Sequence, residues 1–143
     1  MNQKSVLIVD DDNSICSSLA SLLKSELVET RIASTMEEAE MLLRTETFNL
    51  ALVDLRLRGS EGTEGLDLIS RIKARAPETR VVLFTAYGSP EIEQEALRRG
   101  AVEYWEKRMK IPTLIERIRA LGIPVGREKV VPEFADSNGF CGR

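Results

Sequence analysis

Residues 6–12 read Val6-Leu7-Ile8-Val9-Asp10-Asp11-Asp12: four apolar residues in succession, three of them β-branched, and then three carboxylates. A short run with no polar alternation suits a strand buried on both faces, and the abrupt change of character marks its carboxyl end. Four further runs read as strands, at 30–33, 50–53, 81–84 and 102–105. Helical patterns separate them. Ile15, Leu19, Leu22 and Leu23 share one face, and Met36, Ala39, Leu42 and Leu43 share another after Thr35, which with Glu38 forms a capping box. A third pattern carries Leu66, Ile69 and Ile72; a fourth opens at Ser89-Pro90 and closes at Gly100; a fifth holds Leu114, Ile115, Ile118 and Leu121.

Strict alternation of strand and helix predicts parallel strands joined by crossovers, hence an α/β fold with helices on both faces of one sheet. The runs at 6–9, 50–53 and 81–84 are apolar throughout, whereas those at 30–33 and 102–105 carry Thr30, Arg31 and Glu103 and read as edges. A doubly wound, flavodoxin-like sheet of five strands in the order 2-1-3-4-5 satisfies this pattern. It reverses direction between strands 1 and 3, and open α/β sheets bind ligands outside the carboxyl ends of the strands at such a point.

The composition fits one domain. The chain has 143 residues, 43% hydrophobic and 30% charged, so it is neither a disordered polymer nor a long multidomain chain. It has no run of about 20 apolar residues and no signal-peptide pattern, so a soluble, cytoplasmic protein without membrane contact is expected. Two cysteines cannot make a disulfide framework, and the absence of histidine excludes a Cys/His metal site, a Ser-His-Asp triad and a histidine phosphocarrier. A net charge of −3 argues against direct nucleic-acid binding. Arg98, Arg99, Lys107, Arg108, Lys110, Arg117 and Arg119 nevertheless gather in the last third, as a solvated face or a partner surface. Beyond Leu121, Gly122, Pro124, Gly126, Pro132 and Gly139 interrupt any period, so 1–121 is read as the domain and 122–143 as a flexible tail or docked extension.

Four of the five strands end in a reactive polar group: Asp10, Asp11 and Asp12 after strand 1, Asp54 after strand 3, Thr85 after strand 4 and Lys107 after strand 5. Singly, each reads as a cap, a turn residue or a solvated charge. At the ends of adjacent parallel strands they converge. Carboxylates within about 4 Å repel by roughly 1 kcal/mol per pair even in water, so a hard, oxygen-preferring cation such as Mg²⁺ is expected among them. A carboxylate can also serve as nucleophile and form an aspartyl phosphate. Lys107 and the metal would then offset charge on the phosphoryl oxygens, and the Thr85 hydroxyl would hydrogen-bond them.

With these motifs, the sequence resembles the receiver domain of two-component response regulators. The resemblance rests on Val6-Leu7-Ile8-Val9-Asp10-Asp11-Asp12, Leu52-Val53-Asp54-Leu55-Arg56, Leu83-Phe84-Thr85-Ala86-Tyr87-Gly88 and the run from Gly100 to Lys107, and it spans residues 5 to about 121. It implies that Asp54 is the phosphoacceptor, that Asp10, Asp11, Asp54 and the backbone carbonyl of Arg56 hold Mg²⁺, and that Thr85 and Lys107 contact the phosphoryl group. It further implies that Tyr104 is an aromatic whose orientation follows Thr85, and that Ala86 leaves room for the phosphoryl group. The sequence departs from the family in two places. Arg108 stands where proline, often cis, usually follows the lysine. The segment 58–65, with Gly59, Gly62 and Gly65, is about three residues longer than usual and reads as a mobile loop.

The resemblance implies a phosphorylation-dependent switch, not an enzyme, although such a domain can catalyse its own phosphorylation and dephosphorylation. The donor is a histidine kinase or phosphotransfer protein, because this chain has no histidine. Output is expected through an effector protein or homodimer on the face of helix 4, strand 5 and helix 5, since nothing of domain size follows helix 5. Two alternatives stand beside it. A pseudo-receiver would keep the fold and signal without phosphate. A haloacid-dehalogenase-like phosphatase would use Asp10 of Asp10-x-Asp12 as nucleophile, but leaves Asp54 without a role and lacks a second acidic motif after Lys107.

Overall fold

The protein's structure is a computed structural model that describes residues 3–57 and 62–125. Five strands and five helices alternate: β1 (Lys4–Val9), α1 (Asn13–Leu23), β2 (Val28–Ala33), α2 (Met36–Thr45), β3 (Leu50–Val53), α3 (Glu64–Arg75), β4 (Arg80–Thr85), α4 (Pro90–Arg98), β5 (Glu103–Glu106) and α5 (Ile111–Ala120). All pairings are parallel and the order is β2-β1-β3-β4-β5, as the sequence predicts.

The period of two along each strand divides the core between the two sheet faces. Leu7, Val9, Ala51, Val53, Val81 and Leu83 face one way, under α2, α3 and α4. Val6, Ile8, Leu50, Leu52, Val82 and Phe84 face the other, with Trp105 and the apolar stripes of α1 and α5. The three central strands are buried on both sides because each face carries a helical layer. Where the sequence predicts Ile15 in the α1 stripe, Cys16 is buried and Ile15 is only partly covered. A small thiol packs as an apolar side chain.

The caps sit where side-chain chemistry puts them. Thr35 Oγ1 accepts from Glu38 N at 3.1 Å, while Glu38 Oε1 accepts from Ser34 N at 2.7 Å, one residue earlier than in a reciprocal capping box. Ser89 Oγ accepts from Ile92 N at 3.2 Å, with Pro90 in the first turn of α4. Gly100 follows α4 at φ +115°, which an L side chain rarely adopts.

The packed unit runs four residues past the expected boundary at Leu121. Ile123 and Val125 are buried with the α1/α5 layer, and Arg119 donates to the Val125 carbonyl at 3.0 Å. The remainder of the expected tail, 126–143, lies outside the described residues, as do 58–61 of the glycine-rich segment. Of that segment's glycines, Gly65 is no loop residue: it lies buried in the first turn of α3. Among the described residues no helix is long and apolar enough to cross a membrane.

Candidate functional site

The sheet ladder delivers the rim residues in register. Val9 lies opposite Val53, so Asp10 and Asp54 leave adjacent strands together. Their backbones stay tied to the sheet, Asp54 N to Val9 O at 2.9 Å and Asp10 N to Ala33 O at 3.0 Å. Thr85 ends β4 opposite Glu106, and Lys107 N bonds to Thr85 O at 3.0 Å. Topology thus brings residues 97 apart in sequence into contact.

Lys107 Nζ lies 2.5 Å from Asp10 Oδ2 and 3.2 Å from Asp54 Oδ2. The opposite oxygens are held by backbone donors, Asp10 Oδ1 by Asp12 N at 2.9 Å and Asp54 Oδ1 by Leu55 N at 2.8 Å. Asp10 and Asp54 are 3% and 5% exposed and Thr85 is fully buried, so these charges interact with little screening. Burial and the Asp10 charge push the Asp54 carboxyl above the usual range, against the opposing pull of Lys107 and a Thr85 hydrogen bond. Burial alone would lower the Lys107 ammonium; its bonds and charges with Asp10 and Asp54 outweigh that and raise it.

Asp10, Asp11 and Asp54 each present a carboxylate oxygen within 4.8 Å of the others. Asp12 is not among them. Its carboxylate caps α1, accepting from Ser14 N at 2.9 Å and Ile15 N at 3.3 Å. That assignment also removes the second aspartate of an Asp-x-Asp phosphatase motif from the pocket. Three carboxylates against one ammonium leave two negative charges, which a divalent cation would neutralise, and an all-oxygen donor set suits Mg²⁺.

Arg56, two residues beyond Asp54, turns its side chain outward, and its guanidinium lies 4.1 Å from the centroid of the Tyr87 ring. This cation–π contact joins the loops after β3 and β4. Among the described residues every peptide bond is trans, including Lys107–Arg108. Lys107 reaches the pocket without a proline behind it, while Arg108 pairs with Glu106 at 3.0 Å on the surface. Tyr104 packs against the core layer beneath α4, and burial pushes its phenol upward.

Three features of the site escape the sequence reading. A Cβ on Gly65 would lie 2.1 Å from the Asp54 carbonyl oxygen, so only glycine lets α3 approach the end of β3 so closely. A glycine in the first turn of a helix is a usable signal for such an approach. Cys16 Sγ donates to the Asp10 carbonyl at 3.2 Å, and burial, with the Asp10 charge, pushes the thiol up to about 11. Gly88 lies against Tyr104. Nothing in the sequence signals the last two.

The chain matches the response regulator receiver domain family over residues 6–119. It belongs to that family. The receiver domain is 38% identical over 121 residues to the response regulator protein PilR of Pseudomonas aeruginosa, covering 85% of this chain and 26% of PilR. It is 32% identical over 106 residues to the photosynthetic apparatus regulatory protein RegA of Rhodobacter capsulatus, covering 74% of this chain and 56% of RegA. The chain therefore spans about a quarter to a half of these curated relatives. Among solved structures it resembles a CheY-like receiver domain protein from Methanospirillum hungatei, with TM-score 0.77 and 34% identity over 83% of this chain and 93% of that one. The receiver domain of NtrX from Brucella abortus gives TM-score 0.73 and 34% identity over 81% and 96% of the two chains. The receiver family belongs to two-component signalling, and its members act as switches and not as classical enzymes.

Proposed function

We propose that this receiver domain accepts a phosphoryl group on Asp54 from a phosphohistidine on a partner kinase or phosphotransfer protein. One observation carries the reading: Lys107 spans Asp10 and Asp54 in a pocket whose three carboxylates leave two uncompensated negative charges. Asp54 directly follows the middle strand, flanked by Asp10 just past β1, Thr85 at the end of β4 and Lys107 just past β5. Burial raises its basicity, and the Leu55 N–H fixes the carboxylate by holding Oδ1. In the transfer an Asp54 oxygen bonds to phosphorus as the donor's P–N bond breaks; the imidazole nitrogen departs with the electron pair. Lys107 then shifts its donor from carboxylate to phosphoryl oxygen, and the buried Thr85 hydroxyl supplies a second hydrogen bond.

Asp10, Asp11, Asp54 and the Arg56 carbonyl would hold Mg²⁺, whose charge would neutralise the phosphoryl oxygens. Output through α4, β5 and α5 belongs to the same proposal, but not as a bare basic surface. Arg98 and Arg99 are paired with Glu95, Arg108 with Glu106 and Arg117 with Glu103, while Arg119 turns to the Val125 carbonyl. Recognition there would read a neutralised, mixed-charge face. We extend the domain past the expected boundary at Leu121 to include Ile123 and Val125, which are buried with it.

The test is intact mass after incubation with acetyl phosphate, with and without Mg²⁺, on wild type and Asp54→Asn. A Mg²⁺-dependent gain of one phosphoryl group, lost in the variant, is expected. No gain despite demonstrated Mg²⁺ binding would refute the phosphoacceptor assignment.

A further inference from the structure

Among the described residues, every arginine except two has a partner for its guanidinium. Arg31, Arg71, Arg98, Arg99, Arg108 and Arg117 hold carboxylates, Arg80 and Arg119 hold backbone carbonyls, and Arg56 lies over the Tyr87 ring. Arg44 and Arg75 have no partner among the described residues. They are distant in sequence and line the same cleft, a cavity of about 500 Å³ between α2 and α3 walled by Glu40, Leu43, Arg44, Arg71, Ala74 and Arg75. The helical period explains the meeting. Arg44 lies one turn beyond Glu40 on α2 and Arg75 one turn beyond Arg71 on α3, so each helix turns two of these residues to the other. Arg71 crosses to Glu40, the one carboxylate among the described walls. Three guanidiniums against one carboxylate leave two positive charges, in a chain whose net charge is −3.

Both unpaired arginines lie in the last turns of their helices, where a cation favours the helix dipole. The dipole accounts for a positive charge on each helix, but not for two that face one cleft beside Arg71. Nor does the end of α3 depend on Arg75, since Lys73 Nζ in the same turn donates to the Pro77 and Thr79 carbonyls at 2.7 and 2.8 Å. Like charges gathered around one cavity repel, and an anion entering it relieves the repulsion. The sheet is parallel throughout, so α2 and α3 both run back toward the amino ends of the strands. Their last turns therefore lie at the end of the sheet opposite Asp54.

We propose that the cleft between α2 and α3 is a docking site for an acidic segment of a partner protein, with Arg44 and Arg75 each taking a carboxylate. A guanidinium offers two parallel N–H donors that match a carboxylate, and the Arg71–Glu40 pair places one such contact in the cleft already. Two unpaired guanidiniums suit a short acidic peptide, whereas a nucleic-acid backbone is held by a longer row of cations. The cleft stands apart from the Asp54 pocket and from α4, β5 and α5, so its occupancy does not depend on the proposed phosphorylation.

The experiment is fluorescence anisotropy of a fluorescein-labelled hexaglutamate peptide titrated with the full chain, at about 0.1 M salt, where charges more than about 10 Å apart are largely screened. Wild type is compared with the double variant Arg44→Glu, Arg75→Glu and with Lys24→Glu, Lys110→Glu, which changes net charge equally on the exposed side of the opposite helical layer. The cleft variant is expected to bind at least tenfold more weakly and the lysine variant within threefold of wild type. Equal weakening in both, no weakening in the cleft variant, or failure of wild type to bind the peptide overturns the proposal. Arg44→Gln, Arg75→Gln removes the charges without adding carboxylates and covers a reversed variant that fails to fold. At least threefold weakening is expected there, and unchanged affinity overturns the proposal. Tighter binding of a labelled hexathymidylate than of the peptide would assign the cleft to nucleic acid and overturn it too. Asp54→Asn is expected to bind the peptide as wild type does, and a change beyond threefold overturns the independence of the two sites.

Discussion

Replacing Asp54 by Asn in the metal-free protein removes a charge from a pocket that already holds too many of one sign. At an effective dielectric near 20, the Lys107 contact at 3.2 Å attracts Asp54 by about 5 kcal/mol. Asp10, with its nearest oxygen within 4.8 Å, repels it by about 3 to 4 kcal/mol on the same scale. Asp11, partly exposed and more screened, adds about 1 kcal/mol of repulsion. These terms nearly cancel, which leaves the cost of burying the carboxylate. Asn keeps an oxygen for the Leu55 N–H and lets Lys107 pair with Asp10 alone. The variant is therefore expected to be more stable by about 1–2 kcal/mol, raising the melting temperature by roughly 4–8 °C.

The pH dependence follows from the direction of the Asp54 shift. A carboxyl whose pKa is higher folded than unfolded favours folding while protonated, and that advantage is lost as pH rises through the folded value. The gap between Asp54→Asn and wild type should therefore be small in acid and open toward neutral pH. Urea denaturation in the presence of a chelator measures it. Adding Mg²⁺ should narrow the gap, because a ligand that binds the folded state stabilises it by mass action, and the wild type offers three carboxylates where the variant offers two. A variant no more stable than wild type at neutral pH without metal would refute the charge accounting.

Lys107→Met strands Asp10 and Asp54 without their ammonium and is expected to cost about 3–5 kcal/mol, with much of the loss recovered when Asp54→Asn is added; denaturant midpoints of the single and double variants check it. Gly65→Ala drives a methyl into the Asp54 carbonyl and should destabilise by about 1–3 kcal/mol, visible as a lower melting temperature, while perturbing Mg²⁺ binding measured by titration calorimetry. Asp12→Ala should cost about 1 kcal/mol of stability through the lost α1 cap yet leave Mg²⁺ affinity within twofold, and a larger loss of affinity would return Asp12 to the pocket. Tyr104→Phe removes a buried hydroxyl that has no partner among the described residues and should be neutral or stabilising by up to about 1 kcal/mol in urea.

The sequence by itself determined the fold class, strand order and rim residues, because each is written in local chemistry. Unbroken apolar runs name the central strands, polar interruptions such as Arg31 and Glu103 name the edges, and a carboxylate directly after an apolar run marks a strand's carboxyl end. Ser89-Pro90 and Thr35 announce helix starts for the same reason: the signal lies within one turn. The family resemblance already set Asp10 and Asp11 apart from Asp12; only the tertiary structure decided what Asp12 does instead. Asp12 serves as a cap because α1 begins at Asn13, which depends on how that helix docks on the sheet. The same holds for the basic cluster, whose partners on other elements are invisible to a one-dimensional count, and for Ile123 and Val125, whose burial needs the α1/α5 layer to exist first. Gly65 and Gly88 are the clearest cases. Their sequence neighbours suggest a loop or nothing at all, and what demands glycine is an atom from elsewhere in the chain, the Asp54 carbonyl or the Tyr104 ring, which the packing of α3 and β5 brings into the space a Cβ would occupy.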